Sequence, residues 1–416
     1  MKLLKSILFI AFLFLGNIVS AQETIKTMFY NLFEFPLSPP ANKVLLLKDI
    51  LETYQPDIFM VCELINENGA QLIVDQALNH TSNLYEMAPF EANQSGESEL
   101  QQLVFYNKFK FSLEETDIIV TTVRDINRYQ LKLKTTDHEV DPVFLELFVA
   151  HLKSSTGTTN QNLRRDMIQE FLDYTATLDP NAYVILAGDL NFYRATEPGY
   201  VLLLDENNPI IMKDPLDAPG SWQDNPAFTY LHTQSTRLSS SGFGGGAGGG
   251  LDDRFDFMIV SENILDDTKM MYIEDTYQAY GNNANCLNNR IDSEDCDGFF
   301  NQELRDKLYF MSDHLPVVMD LFTEKEFSLS NPEYSSIEYI TFPYGNIVKN
   351  ILYLKVNEQI EQNISMEIFN VLGQKIRHIP NNNQSHYQID LTDLSSGIYY
   401  LSASHFDKSV YKFLKK

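Results

Sequence analysis

Positive charge is what this chain has least of. Its 416 residues include 31 Lys and Arg against 57 Asp and Glu, a formal net charge of −26. A protein that coats duplex nucleic acid takes its affinity from Lys and Arg set against phosphates, so this composition argues against one. It leaves room for an enzyme that holds a phosphate-bearing substrate briefly, with a divalent cation offsetting local charge. Acidity also keeps an extracellular protein soluble. Cysteine is nearly absent: three residues allow at most one intramolecular disulfide. Cys286 and Cys296 share one polar loop and form the natural pair, whereas Cys62 lies in an apolar run and reads as a small core side chain. Cys and His clusters at zinc-ligand spacing are missing. The glycine-rich segment 239–250 lacks the Lys-Ser/Thr that would complete a phosphate-binding P-loop.

Long apolar runs are equally scarce. The run from Ile7 to Leu15 follows Lys2 and Lys5 and precedes the small residues Val19-Ser20-Ala21. It is shorter than the roughly 18–20 residues a membrane span needs, so residues 1–21 read as a signal peptide. No other run is apolar and long enough to span. The mature chain is expected to be exported, to carry no transmembrane segment and to act as a monomer.

What is present is ample core material, 44% apolar residues with 28 Phe and 22 Tyr, in a chain longer than one average domain. Polar residues recur at the ends of apolar, β-rich runs. Thr27 to Tyr30 leads into Asn31, and Asp57 to Cys62 leads into Glu63. Phe144 to Ala150 leads into His151, with Lys153, Ser154 and Ser155 just beyond. Tyr183 to Gly188 leads into Asp189 and Asn191. Asp256 lies among aromatic and aliphatic neighbours in 254–260, and Ser312-Asp313-His314 precedes the run 316–321. A polar side chain at a strand tip has a fixed position yet reaches solvent, so several such tips suggest one site. Helical spacing at 42–54 and 162–174 between these strands predicts helices covering a central sheet, and 100–147 reads as antiparallel strands.

The ordered series resembles the endonuclease/exonuclease/phosphatase superfamily, with the DNase I-like fold, over roughly residues 24–323. Cys62 departs from the Gln that relatives usually place before the metal-binding Glu. The resemblance implies a four-layer α-β-β-α sandwich and a divalent metal. Carboxylate and amide ligands suit Mg²⁺ or Mn²⁺. Glu63 is then the first metal ligand, with Asp313 and Asn31 contributing. Asp189 orients or deprotonates the attacking water and Asn191 donates to a phosphate oxygen. Asp256 sets the tautomer of His314. Whether Asp189 or His314 is the base stays open. His151 serves the phosphate or the leaving group, with Lys153 and Ser155 as substrate contacts. Arg237, near Trp222, Tyr230 and His232, could clamp a phosphate or simply pack.

Two segments interrupt the pattern. The glycine-rich stretch should lie near the catalytic rim or act as a plain linker. The polar loop 281–300, with Asp292, Glu294, Asp295 and Asp297, could take Ca²⁺, although a disulfide-pinned solvated insertion fits better.

Beyond the catalytic domain (22–323) and a linker (324–343), residues 344–416 show short alternating strands, a small β-sandwich. The strings Asn370-Val-Leu-Gly-Gln-Lys375 and Leu394-Ser-Ser-Gly-Ile-Tyr-Tyr400 resemble the type A sorting domain of type IX secretion. A surface-binding β module is the alternative. The resemblances imply a secreted or cell-surface, metal-dependent phosphodiesterase handled by the type IX machinery and acting on nucleic acid. The alternatives are a phosphatase or sphingomyelinase-type hydrolase of small phosphoesters or lipid headgroups, and a non-catalytic binding protein.

Overall fold

The computed structural model describes residues 23–328 apart from Glu97, then 340–356 apart from Tyr344, 365–380 apart from Leu372, 384–404 and 410–416. The signal peptide and most of the linker expected from the sequence lie outside these residues. The chain divides into two compact units, one of residues 1–70 and 87–328, the other of 71–86 and 329–416.

The first unit is built on two sheets. The first runs, in spatial order, through strands Met271–Tyr272, Val317–Thr323, Glu23–Phe35, Ile58–Leu64 and Gln101–Asn107. The second runs through Phe111–Ile119, Ile126–Leu133, Phe144–His151, Tyr183–Asp189, Asp256–Ser261 and Met212–Lys213. Each sheet has one parallel pairing at its centre, Glu23–Phe35 with Ile58–Leu64 and Phe144–His151 with Tyr183–Asp189, and antiparallel neighbours outside it. The central strands are near-continuous apolar runs because both of their faces are covered. Thr27 of the first sheet meets Met258 of the second between the layers.

Helices close the outer faces, giving the four-layer α-β-β-α sandwich. Lys43–Tyr54 turns Leu47, Ile50 and Leu51 inward and packs beside Gln302–Met311. The latter begins with Asn301, whose side chain accepts the Leu304 N–H. Thr158–Thr175 lays Met167, Ile168, Phe171 and Leu172 against Phe148, Val184 and Leu186 of the second sheet. The antiparallel hairpins expected within 100–147 are present. The second unit contains a three-stranded and a five-stranded sheet around Leu352, Leu354, Met366, Ile368, Leu391, Leu401 and Phe413.

Candidate active site

Strand register assembles the site. In the second sheet, parallel pairing sets His151 against Asp189, and antiparallel pairing sets Asp256 against Asp189. Three polar side chains therefore end up on three adjacent strands. Their close approach depends on Gly188, where a Cβ would lie 2.3 Å from the Ala150 carbonyl oxygen. In the first sheet Asn31 pairs with Cys62, and the register then breaks on both strands, delivering Glu63 with φ of 57°. The turn at 312–314 is tied to the same strand: Ser312 Oγ donates to Asn31 O at 2.7 Å, and His314 N donates back to Ser312 Oγ.

Asn31 joins the two sheets. Its Nδ2 donates to Glu63 Oε1 at 2.9 Å and to Asp189 Oδ2 at 3.1 Å. Asn191, left-handed at φ 53°, turns back so that its Nδ2 donates to Asp189 Oδ1 at 2.7 Å. His314 Nδ1 donates to Asp256 Oδ2 at 2.7 Å, and its Nε2 lies 3.7 Å from Asp189 Oδ2. His151 Nε2 stands 3.4 Å from Asp189 Oδ2, and its Nδ1 stands 3.9 Å from Glu63 Oε1.

Burial sets the charge states. It pushes the Asp189 carboxyl up to about 7, with Asp256 and Glu63 adding to the rise and His314 opposing it. Burial also raises Glu63, helped by Asp313. The same burial would discharge His314, but Asp256 and Asp189 outweigh it and hold the imidazole protonated well above its usual range. For His151 the balance runs the other way: burial and then Arg124 drive it well below that range, so it is neutral. One histidine is thus a cation and the other a neutral donor or ligand, set by their neighbours.

A divalent cation fits this arrangement. Glu63, His151 and Asp189 offer ligand atoms that all lie within 4.8 Å of one another. His151 Nδ1 is buried without a hydrogen-bond partner, and two of the buried carboxyls are raised by desolvation. Asp313 stands outside that trio. Its Oδ2 accepts the Ala247 N–H at 2.6 Å, and its buried Oδ1 has no partner. The glycine-rich segment therefore closes on the rim of the site. At Gly246 (φ 88°) a Cβ would meet Asp313 Oδ2 at 2.8 Å and the Phe33 ring.

The remaining expected contacts fare differently. Lys153 is half-buried, with its Nζ donating to the Ser154 carbonyl, and Ser155 is exposed in a left-handed turn. Arg237 takes the packing alternative, although its buried Nη1 has no partner. It is wholly buried, stacks over Phe243 and donates to the carbonyls of Tyr309 and Phe310. Trp222 and His232 are likewise fully buried, joined by His232 Nε2 at 2.8 Å from the Trp222 carbonyl. In the 281–300 loop Cys286 and Cys296 form the disulfide, and Asp292 pairs with Arg290 rather than joining a carboxylate cage.

Sequence reasoning missed three supporting residues. Arg124 lies beneath the site, its Nε donating to His151 O and its Nη2 to Leu152 O. Arg164 is fully buried against Glu197 and donates to the carbonyls of Lys153 and Ser155. The Gln234 amide sits 2.5 Å from His314 Nε2. None lies at a strand tip, and no local pattern separates a buried arginine from an exposed one.

The first unit is a four-layer α-β-β-α sandwich whose polar strand ends meet at one site, as the sequence resemblance implies. Residues 344–416 match the model of the secretion system C-terminal sorting domain. Among solved structures, the chain is similar to D. rerio TDP2 complexed with a single-strand DNA product. That similarity is 16% identity and a TM-score of 0.47, covering 72% of this chain and 98% of that one. An endonuclease/exonuclease/phosphatase family protein of Bacteroides thetaiotaomicron aligns at 14% identity and a TM-score of 0.47, covering 73% and 98%. The mannosyl-6-phosphatase of B. thetaiotaomicron VPI-5482 aligns at 13% and 0.44, covering 71% and 99%. No curated protein matches the chain by sequence.

Proposed function

We propose that this chain is an exported, divalent-metal-dependent phosphoester hydrolase. The observation that carries the reading is the joining of polar strand ends from both sheets into one site: Asn31 bridges Glu63 and Asp189, while Asp256 accepts from His314.

Glu63 would hold Mg²⁺ or Mn²⁺ at the edge of the space it shares with His151 and Asp189. The metal would supply charge neutralisation at the phosphoryl oxygens and at the leaving oxygen. Asp189 takes the proton of the attacking water, since a carboxyl raised to about 7 is a competent base near neutrality. Asn31 and Asn191 fix its two oxygens, which aims it. The imidazolium of His314, oriented by Asp256, donates to a phosphoryl oxygen as charge grows there. His151 adds a neutral donor on the side of Lys153.

For the substrate, the first reading is a nucleic-acid phosphodiester. A second reading, a small phosphoester, is favoured by one observation: Arg124, Arg164 and Arg237 are all buried, which leaves the half-buried Lys153 as the more accessible cation among them. Assays with Mg²⁺ or Mn²⁺ on plasmid DNA, RNA, sphingomyelin, a sugar phosphate and bis(p-nitrophenyl) phosphate separate these. Turnover of polymer ahead of the small esters supports the first reading, and the reverse order supports the second. A folded protein inert on all of them would overturn the hydrolase itself.

A further inference from the structure

We infer that the Cys286–Cys296 disulfide is part of the scaffolding that positions Asp313 and His314, so that the site is complete only in the oxidised chain. This rests on the hydrolase reading for its consequence, though not for its geometry.

The nine residues between the two cysteines touch the site's supports through the backbone. Leu251 N donates to Asn289 O at 3.0 Å, Asn288 N donates to Leu251 O at 3.1 Å, and Ile291 N donates to Thr236 O at 3.0 Å. Thr236 in turn holds the catalytic turn: its N donates to Asp313 O at 3.1 Å and its Oγ1 to Ser312 O at 2.6 Å. The glycine-rich segment is the second link. Ser235 N donates to Gly250 O, Ser235 Oγ donates to Ala247 O, and Ala247 N donates to Asp313 Oδ2. Gly250 (φ 98°) passes so close to the disulfide loop that a Cβ there would lie 2.3 Å from the Asn288 carbonyl carbon. The loop is also fastened to the helix that ends at the turn, because Arg305 Nη1 donates to the carbonyls of Ile291 and Ser293. The remaining cysteine does not compete: Cys62 is fully buried among core strands.

Opening the bond with a dithiol moves two electrons and two protons onto the cysteine sulfurs, while the dithiol closes to its own disulfide. The 286–296 segment then regains the freedom the cross-link removed. Its hold on Leu251 and Thr236 weakens, and with it the placement of the turn. An exported protein meets the oxidising surroundings in which this bond persists.

The test compares wild type, the double variant Cys286→Ser/Cys296→Ser and the redox-independent variant Gly250→Ala, each with and without dithiothreitol. Readouts are turnover of bis(p-nitrophenyl) phosphate and the low-field proton resonance of the His314 Nδ1–H···Asp256 bond. We expect dithiothreitol to lower wild-type kcat at least tenfold and to broaden that resonance while far-UV circular dichroism stays constant. The serine variant should show both losses without reductant and no further response, and Gly250→Ala should show them while still oxidised. If the serine variant does not fold, Gly250→Ala and reduction of folded wild type decide. Full activity and an unchanged resonance in either would overturn the inference. An inert wild type with a reduction-sensitive resonance would instead fault the hydrolase reading and leave the positioning intact.

Discussion

Asp189 and His314 stand 3.7 Å apart, and each sets the other's proton. Burial pushes Asp189 up to about 7, whereas His314 is held protonated well above the normal imidazole range by Asp256 and Asp189. If the former is the base and the latter the donor, kcat should rise with pH through about 7 and fall again only well above it, as measured on a small phosphoester. Asp189→Asn should remove the acid limb together with nearly all turnover. The same carboxyl carries a stability consequence. Its folded pKa lies above the unfolded value of 3.8, so its contribution is greatest below that value and is lost as pH rises through about 7. In EDTA at pH 8, Asp189→Asn should therefore melt higher than wild type, by a few degrees on the usual scale of about 2–4 °C per kcal/mol for a domain of this size. A lower melting point at pH 8 would mean the carboxyl is paired rather than strained. Residues of this kind were legible in the sequence because each ends an apolar run. Arg124 and Arg164 were not, since an arginine's burial depends on carbonyls supplied from distant parts of the chain, as at His151 and Lys153.

At the level of elements, the sheets act as rulers. Pairing places Asp189 opposite both His151 and Asp256, so a slip of one residue would turn every side chain to the other face. Gly188 is the pinch point of that ruler, because its neighbour strand leaves no room for a methyl group. Gly188→Ala should cost about 1–3 kcal/mol through overpacking. It should lower kcat more than tenfold while leaving the circular dichroism spectrum native, and equal activity would show that the His151–Asp189 spacing is not critical. The helices at 43–54 and 158–175 and the antiparallel hairpins followed from periodicity alone. The helix Gln302–Met311 did not, because its buried face includes Arg305, which reads as solvent-facing in a pattern of hydrophobicity. The closure of the glycine-rich segment onto Asp313 was foreseeable only as proximity to the rim; the bond from Ala247 depends on backbone placement that sequence does not record.

At the scale of the whole molecule, charge and the C-terminal sorting-domain match bear on the proposed function. A formal charge of −26 repels polyanions at a distance, and salt screens such repulsion over about 10 Å at 0.1 M. On a DNA or RNA substrate kcat/KM should thus rise, or at least hold, between low and moderate salt, where a basic nuclease would lose affinity. A steep fall would point to a cationic groove. The sorting domain at 344–416 supports delivery to the exterior or the cell surface. The most direct test of the shared site is the rate of bis(p-nitrophenyl) phosphate hydrolysis with Mg²⁺ or Mn²⁺ and with EDTA, for wild type and His314→Gln. Wild type should turn over only with the metal, and the variant should fall by about 10²–10³ with its melting behaviour retained. Equal rates in the two proteins, or full activity in EDTA, would contradict a metal-dependent site built on Glu63, Asp189 and the His314–Asp256 pair.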